Sequence, residues 1–108
     1  MAANCSHQDL ERSGVSFTAH LTALYRALES EGKDPLFIDM YARTLAGKLG
    51  SDWYIAHKED KKGDILLVST AISARTAFID KFLTNHVLQN NLQPFQICAM
   101  GAGLDARP

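Results

Sequence analysis

The run Phe95-Gln96-Ile97-Cys98-Ala99-Met100, followed at once by Gly101-Ala102-Gly103, constrains the fold of this chain more than any other stretch. Turn signals bound it: Asn90-Asn91 and Pro94 before, the glycines after. It is too short for a typical helix and reads as a buried β-strand. A strand carries peptide N–H and C=O groups along both edges, and these need a neighbour. The residues before it read as helix. The expected fold class is therefore a mostly α fragment of an α/β protein, with N-terminal helices followed by the first strand and its glycine turn. In doubly wound, Rossmann-like sheets that turn carries glycines so that backbone can approach a nucleotide without Cβ interference. Gly101 and Gly103 have this context, while Ala106 stands near where a third glycine would fall. A plain tight turn and a ligand loop both fit the residues.

Upstream, three helices are expected. Phe17, Leu21, Leu24, Tyr25 and Leu28 recur on one helical face, with Ser16 as N-cap and Gly32 as stop. Asp34-Pro35 is a second start signal, and Leu36, Phe37, Met40, Tyr41, Thr44, Leu45 and Leu49 continue a stripe to Gly50. An equally consistent reading breaks this segment, with a turn at 35–38 and a helix capped by Asp39. Residues 51–63 are polar and contain Gly63, so a loop is expected, with a few extended residues around Trp53–Ile55. A third helix should run from about Ile65 to His86 with Val68, Ile72, Ile79 and Leu83 on its apolar stripe and Phe82 at the edge. The expected organisation is a polar, mobile tail over 1–15 with a short helix around Asp9–Arg12, a helical region over 16–92, and the strand and turn over 93–108.

Composition narrows the function classes. A chain of 108 residues holds one small domain. Its formal net charge of −1 gives no electrostatic reason for a nucleic-acid partner or an anionic membrane surface. The one charge run, Lys58-Glu59-Asp60-Lys61-Lys62, mixes signs and reads as solvated. Cys5 and Cys98 are the only cysteines, one in the polar tail and one in the apolar run, so a disulfide framework is not expected and a reducing compartment is. No signal-peptide pattern and no apolar stretch of spanning length stand out, so a soluble, cytoplasmic protein is expected, without a membrane partner.

Arg75 is the residue that most invites a chemical role. It follows Ile72 by three and precedes Ile79 by four, which puts a guanidinium on an apolar stripe. Such a charge is costly unless paired. An internal salt bridge, with Asp39 as one partner, would satisfy it, as would snorkelling past Ile79 to solvent. A clamp for a ligand carboxylate or phosphate would do so too. His7, His20, His57 and His86 are scattered without metal-ligand spacing and read as solvated or core-edge residues, so no metal is expected. Cys98 reads as a small buried strand residue, Trp53 as a loop anchor, and Asp105 and Arg107 as polar caps of a following helix. No serine, histidine and acid grouping suggests a nucleophile, and no catalytic residue is assigned.

The order of these segments resembles one family. Ser16-Phe17-Thr18-Ala19 leads to Tyr25-Arg26-Ala27, then come Asp34-Pro35-Leu36-Phe37-Ile38-Asp39 with Tyr41-Ala42, Ala74-Arg75-Thr76 with Ile79-Asp80, and Met100-Gly101-Ala102-Gly103-Leu104-Asp105-Ala106-Arg107. Over roughly 16–108 this is similar to the leucine carboxyl methyltransferase family, which includes bacterial and polyketide-type O-methyltransferases. The resemblance departs from the family's habit at Met40, where proline is frequent, and at Ala106, where threonine is. It implies a helical region beside a Rossmann-like domain that binds S-adenosyl-L-methionine and methylates carboxyl or hydroxyl oxygens. It also implies that Arg75 binds the cofactor's methionine carboxylate and that the turn at Gly101 and Gly103 approaches the cofactor.

On this reading everything after the first strand is missing, including the acidic residue that would hold the ribose and the site for a small-molecule or carboxylate-bearing acceptor. The expectation is the N-terminal part of a methyltransferase, inactive alone, which a complementary C-terminal fragment would complete. The alternative is a non-catalytic helical interaction module or a split-enzyme subunit.

Overall fold

Five consecutive residues of the first helix, Ala23 to Ala27, are buried. At 100° per residue they sweep more than a full turn, so the middle of this helix is covered on every side. The computed structural model describes residues 15–89 and 96–107. In it α1 (Val15–Glu31) is packed against by α2 (Ala42–His57), α3 (Lys62–Phe82) and the segment that follows residue 96. Leu24, fully buried, sits with Ala23 and Ala46 at the centre, and Leu21, Leu28, Leu45, Trp53, Tyr54 and Leu104 close over them. Burying a leucine of this kind contributes about 1.5–3 kcal/mol. The Ser16 position lies inside α1 rather than capping it, and the helix ends at Glu31, before Gly32, as its glycine signal indicates.

The two readings of the second segment are resolved by Asp34 and Asp39. Asp34 has φ 56°, and residues 35–39 are not helical, so no helix starts at Pro35. The Asp39 carboxylate instead accepts the N–H groups of Tyr41 and Ala42 at 3.0 Å, satisfying donors that the first turn of α2 leaves free.

The loop expected over 51–63 is not there. α2 continues to His57, and only the turn at 58–61, which holds most of the charge run, is exposed loop. Gly50 does not stop the helix because it serves packing: a Cβ there would lie 3.3 Å from the His20 carbonyl oxygen and 3.3 Å from the Ala46 Cβ. The break comes earlier, at Gly47, with φ 62° and ψ −167°. Trp53 is an anchor as expected, but from a helix, set edge-on to Phe17 and stacked on His57.

α3 starts three residues before the expected Ile65 and passes at Leu83 into a π-helical stretch, Leu83–Leu88. Of the expected stripe, Ile72, Ile79 and Leu83 face inward and Val68 does not. Ile65 and Ser73 are buried, and Ser69, Ile72, Thr76 and Ile79 are half-buried, while Val68 is exposed. Small and hydroxyl side chains let α3 approach α1.

No strand occurs among the described residues. Residues 96–99 carry no regular structure, and Cys98, expected to be buried, is exposed. Strand hydrogen bonds run between neighbours, and no second extended segment lies beside this one among the described residues. The tail at 1–13 with its Asp9–Arg12 helix, together with Cys5, His7 and Phe95, lies outside the described residues. Among the described residues no helix is long and apolar enough to cross a membrane.

Candidate functional site

A cavity of about 670 Å³ opens where four segments meet. Thr22 and Arg26 line it from α1, and Phe37 to Tyr41 from the connection into α2. Arg75, Thr76, Ile79 and Asp80 line it from α3, and Ala99 to Ala102 with Asp105 to Arg107 from the C-terminal segment. The cavity thus brings Arg75 and Gly101 together. Gly103 is not on its lining.

The two glycines of the turn differ in what they need. Both have left-handed backbone, φ 61° at Gly101 and φ 58° at Gly103, which favours glycine. A Cβ on Gly101 would meet nothing within 4 Å, so open space lies beside the chain there. A Cβ on Gly103 would come within 3.6 Å of the Ala19 Cβ, so this glycine faces α1. The Asp105 N–H closes the turn on the Ala102 carbonyl at 3.1 Å.

Three guanidinium groups reach the cavity, and they are not equivalent. Arg26 donates through Nε to Asp39 Oδ2 at 3.0 Å and through Nη2 to the Leu104 carbonyl. Arg107 donates through Nε to Asp80 Oδ1 at 2.6 Å and through Nη1 to Asp105. Burial opposes the charge on Arg107, but the hydrogen bond to Asp80 and the charges of Asp105 and Asp80 outweigh it, and its pKa is raised. Arg75 is exposed and forms no ion pair or hydrogen bond among the described residues. It sits on the flank of α3 rather than on the face against α1, so no core desolvation has to be offset. Asp39, considered as its partner, pairs with Arg26 instead.

The sequence marks Asp39 as a helix cap and as one salt-bridge partner for Arg75 but does not single out Arg26, although a signal is present. Arg26 interrupts the apolar run Ala23-Leu24-Tyr25 and Ala27-Leu28. Arg107 ties the segment to Asp80 of α3, and Asp105 braces Arg107. His20 Nδ1 lies 2.9 Å from the Leu45 carbonyl and so joins α1 to α2, while His57 Nδ1 lies 2.8 Å from the Trp53 carbonyl within α2. Among the described residues no group of histidine, cysteine or acidic side chains could hold a metal ion.

Comparison with known proteins shows the family of the chain. A protein of Mycobacterium marinum named "Putative S-adenosyl-L-methionine-dependent methyltransferase" is 33% identical over 102 residues, covering 88% of this chain and 33% of its own length. One of the same description from Streptomyces coelicolor is 36% identical over 101 residues, covering 91% of this chain and 35% of its own. The chain therefore spans about a third of the length of the curated relatives it matches. No solved structure matches it significantly. Residues 19–108 match the family described as leucine carboxyl methyltransferase, and the chain belongs to that family.

Proposed function

We propose that this chain supplies one side of the S-adenosyl-L-methionine site of a methyltransferase acting on carboxyl or hydroxyl oxygens. The observation that carries this is the state of Arg75. Of the three guanidinium groups at the cavity, Arg26 and Arg107 are committed to carboxylates, while Arg75 has no partner among the described residues and faces the same space as Gly101. A cation open to a cavity suits a ligand carboxylate, and the uncovered backbone at Gly101 leaves room for a ligand to lie close. When bound, S-adenosyl-L-methionine supplies a methyl group activated by its sulfonium. Arg75 would bind and orient the methionine carboxylate, the backbone at Gly101 would form the wall beside it, and Gly103 would hold the turn against α1.

Residues 93–108 are, on this reading, the first strand and glycine turn of a Rossmann-like domain, whose partner strands would come from the region corresponding to the relatives' remaining two thirds. No acceptor or base is assigned to this chain, and alone it would not transfer a methyl group. A non-catalytic helical module is a second reading, favoured by the exposed apolar side chains of α3, including Leu67 and Phe78.

The test uses a chimera in which this chain replaces the matching third of the mycobacterial relative. Calorimetric titration compares S-adenosyl-L-methionine with 5′-methylthioadenosine, which lacks the amino-acid carboxylate, on the parent and on Arg75→Ala. Loss of a hydrogen bond between charged groups costs on the order of 1.5–3 kcal/mol. The substitution should weaken S-adenosyl-L-methionine by that order and leave 5′-methylthioadenosine unchanged. Equal weakening of both, or no change in either, overturns the role of Arg75. A folded parent chimera that binds neither ligand overturns the cofactor reading and favours the module.

A further inference from the structure

Arg26 is a buried cation that the reading above leaves without a task. Its side chain is 11% exposed, and its planar fork reaches two parts of the chain far apart in sequence. One arm takes the Asp39 carboxylate at the start of α2, and the other takes the carbonyl of Leu104, 78 residues on. Around it, the Ser30 hydroxyl donates to the Arg26 carbonyl at 2.8 Å and accepts the Asp39 N–H at 2.9 Å. A single guanidinium thus joins α1, the first turn of α2 and the glycine turn.

The two arms have separable consequences. The ion pair with Asp39 holds α1 to α2, and a lysine ammonium could replace it as a point charge. The bond to Leu104 needs the second, coplanar donor of arginine. It fixes one peptide carbonyl, and that peptide lies inside the turn: Gly101 and Ala102, three and two residues before it, line the cavity, and Asp105, next to it, closes on Ala102. Three residues further on, Arg107 ties the same segment to Asp80 of α3. The chain leaving the glycine turn is thus held to two different helices.

We propose that Arg26 is a positioning residue, which by holding the Leu104 carbonyl sets the glycine turn and the Gly101 backbone against the cavity. What the turn is positioned for rests on the cofactor reading. The clamp itself does not.

Amide hydrogen exchange on the full chain tests the clamp, with Arg26→Lys as the decisive variant because Arg26→Ala strands Asp39 and can unfold the protein. In Arg26→Lys the Asp105 amide should exchange about tenfold faster or more, the size expected for loss of a hydrogen bond from a charged donor. Amides in the middle of α1 and α2 should keep their protection. An unchanged Asp105 rate overturns the proposal. A loss spread equally over α1, α2 and the turn also overturns it, since Arg26 would then only hold the fold. S-adenosyl-L-methionine titration of the chimera carrying Arg26→Lys separates the two readings. A parent that binds and a variant at least fivefold weaker supports positioning for the cofactor, and equal affinity overturns it. A parent that does not bind overturns the cofactor reading, and the exchange rates still decide the clamp.

Discussion

Gly50 of α2 lies so close to His20 of α1 that a Cβ would stand 3.3 Å from the His20 carbonyl oxygen, a backbone atom that cannot swing aside. Alanine is favoured over glycine inside a helix by about 1 kcal/mol, but overpacking a tight contact costs about 1–3 kcal/mol. Gly50→Ala should therefore lower stability by about 1 kcal/mol, roughly 5 °C in the thermal midpoint followed by circular dichroism. An increase would show that the two helices separate freely.

Gly47 is sensitive for a different reason. A Cβ there meets nothing within 4 Å, yet φ 62° with ψ −167° is essentially a glycine-only conformation. Gly47→Ala should cost about 1–3 kcal/mol through backbone strain alone. Replacing Gly47 with D-alanine by semisynthesis, whose preferred backbone is the mirror image, should restore the midpoint. If both residues destabilise equally, the backbone account fails.

Ser73 is buried and its hydroxyl has no partner among the described residues. By contrast Ser30, Thr70 and Thr76 each donate to the carbonyl four residues earlier in their helices. Removing an unsatisfied buried hydroxyl and adding alanine's helix preference should make Ser73→Ala more stable by about 1 kcal/mol in chemical denaturation. A destabilised variant would reveal a bonded hydroxyl.

Glu31 at the end of α1 accepts from Arg43 Nε at 2.9 Å. That hydrogen bond, opposed by slight burial and assisted by the Arg43 charge, holds the Glu31 carboxyl below its ordinary value of 4.5. A lowered folded-state value means that the stabilisation is present above the unfolded value and is lost as pH falls through the folded one. Both side chains are well exposed, 42% for Arg43 and 51% for Glu31, so the contribution is only about half a kcal/mol and weakens with salt. The stability difference between the parent and Glu31→Gln should be present at about pH 7 and shrink as pH falls below the ordinary carboxylate value of 4.5. A difference that persists in acid would place its origin elsewhere.

Leu67 and Phe78, each 71% exposed, stand with exposed Ala71 and Ala74 along the outer side of α3 at spacings of four, three and four. An apolar strip of this kind favours association. Sedimentation velocity should show the chain self-associating at micromolar concentration and Leu67→Glu with Phe78→Glu shifting it to monomer. A monodisperse parent would contradict this.

The amino-acid order by itself determined that helices precede the glycine turn, that α1 ends at Gly32, and which family the segments resemble. These rest on local signals, namely apolar period, capping residues and a short motif. It also marked Arg75 and Gly101, which the fold brings to one cavity. The extent of α2 was not legible, because Gly50 looks like a stop until α1 is placed against it, and only the close approach explains the residue. Nor was the commitment of each charge. Arg75 and Arg26 each stand among apolar neighbours, and which is neutralised depends on where Asp39 falls. That depends on the connection between α1 and α2 folding back on α1. Pairing across 13 and 78 residues is a property of the assembled helices, since the energy of a charge depends on what surrounds it in space rather than along the chain.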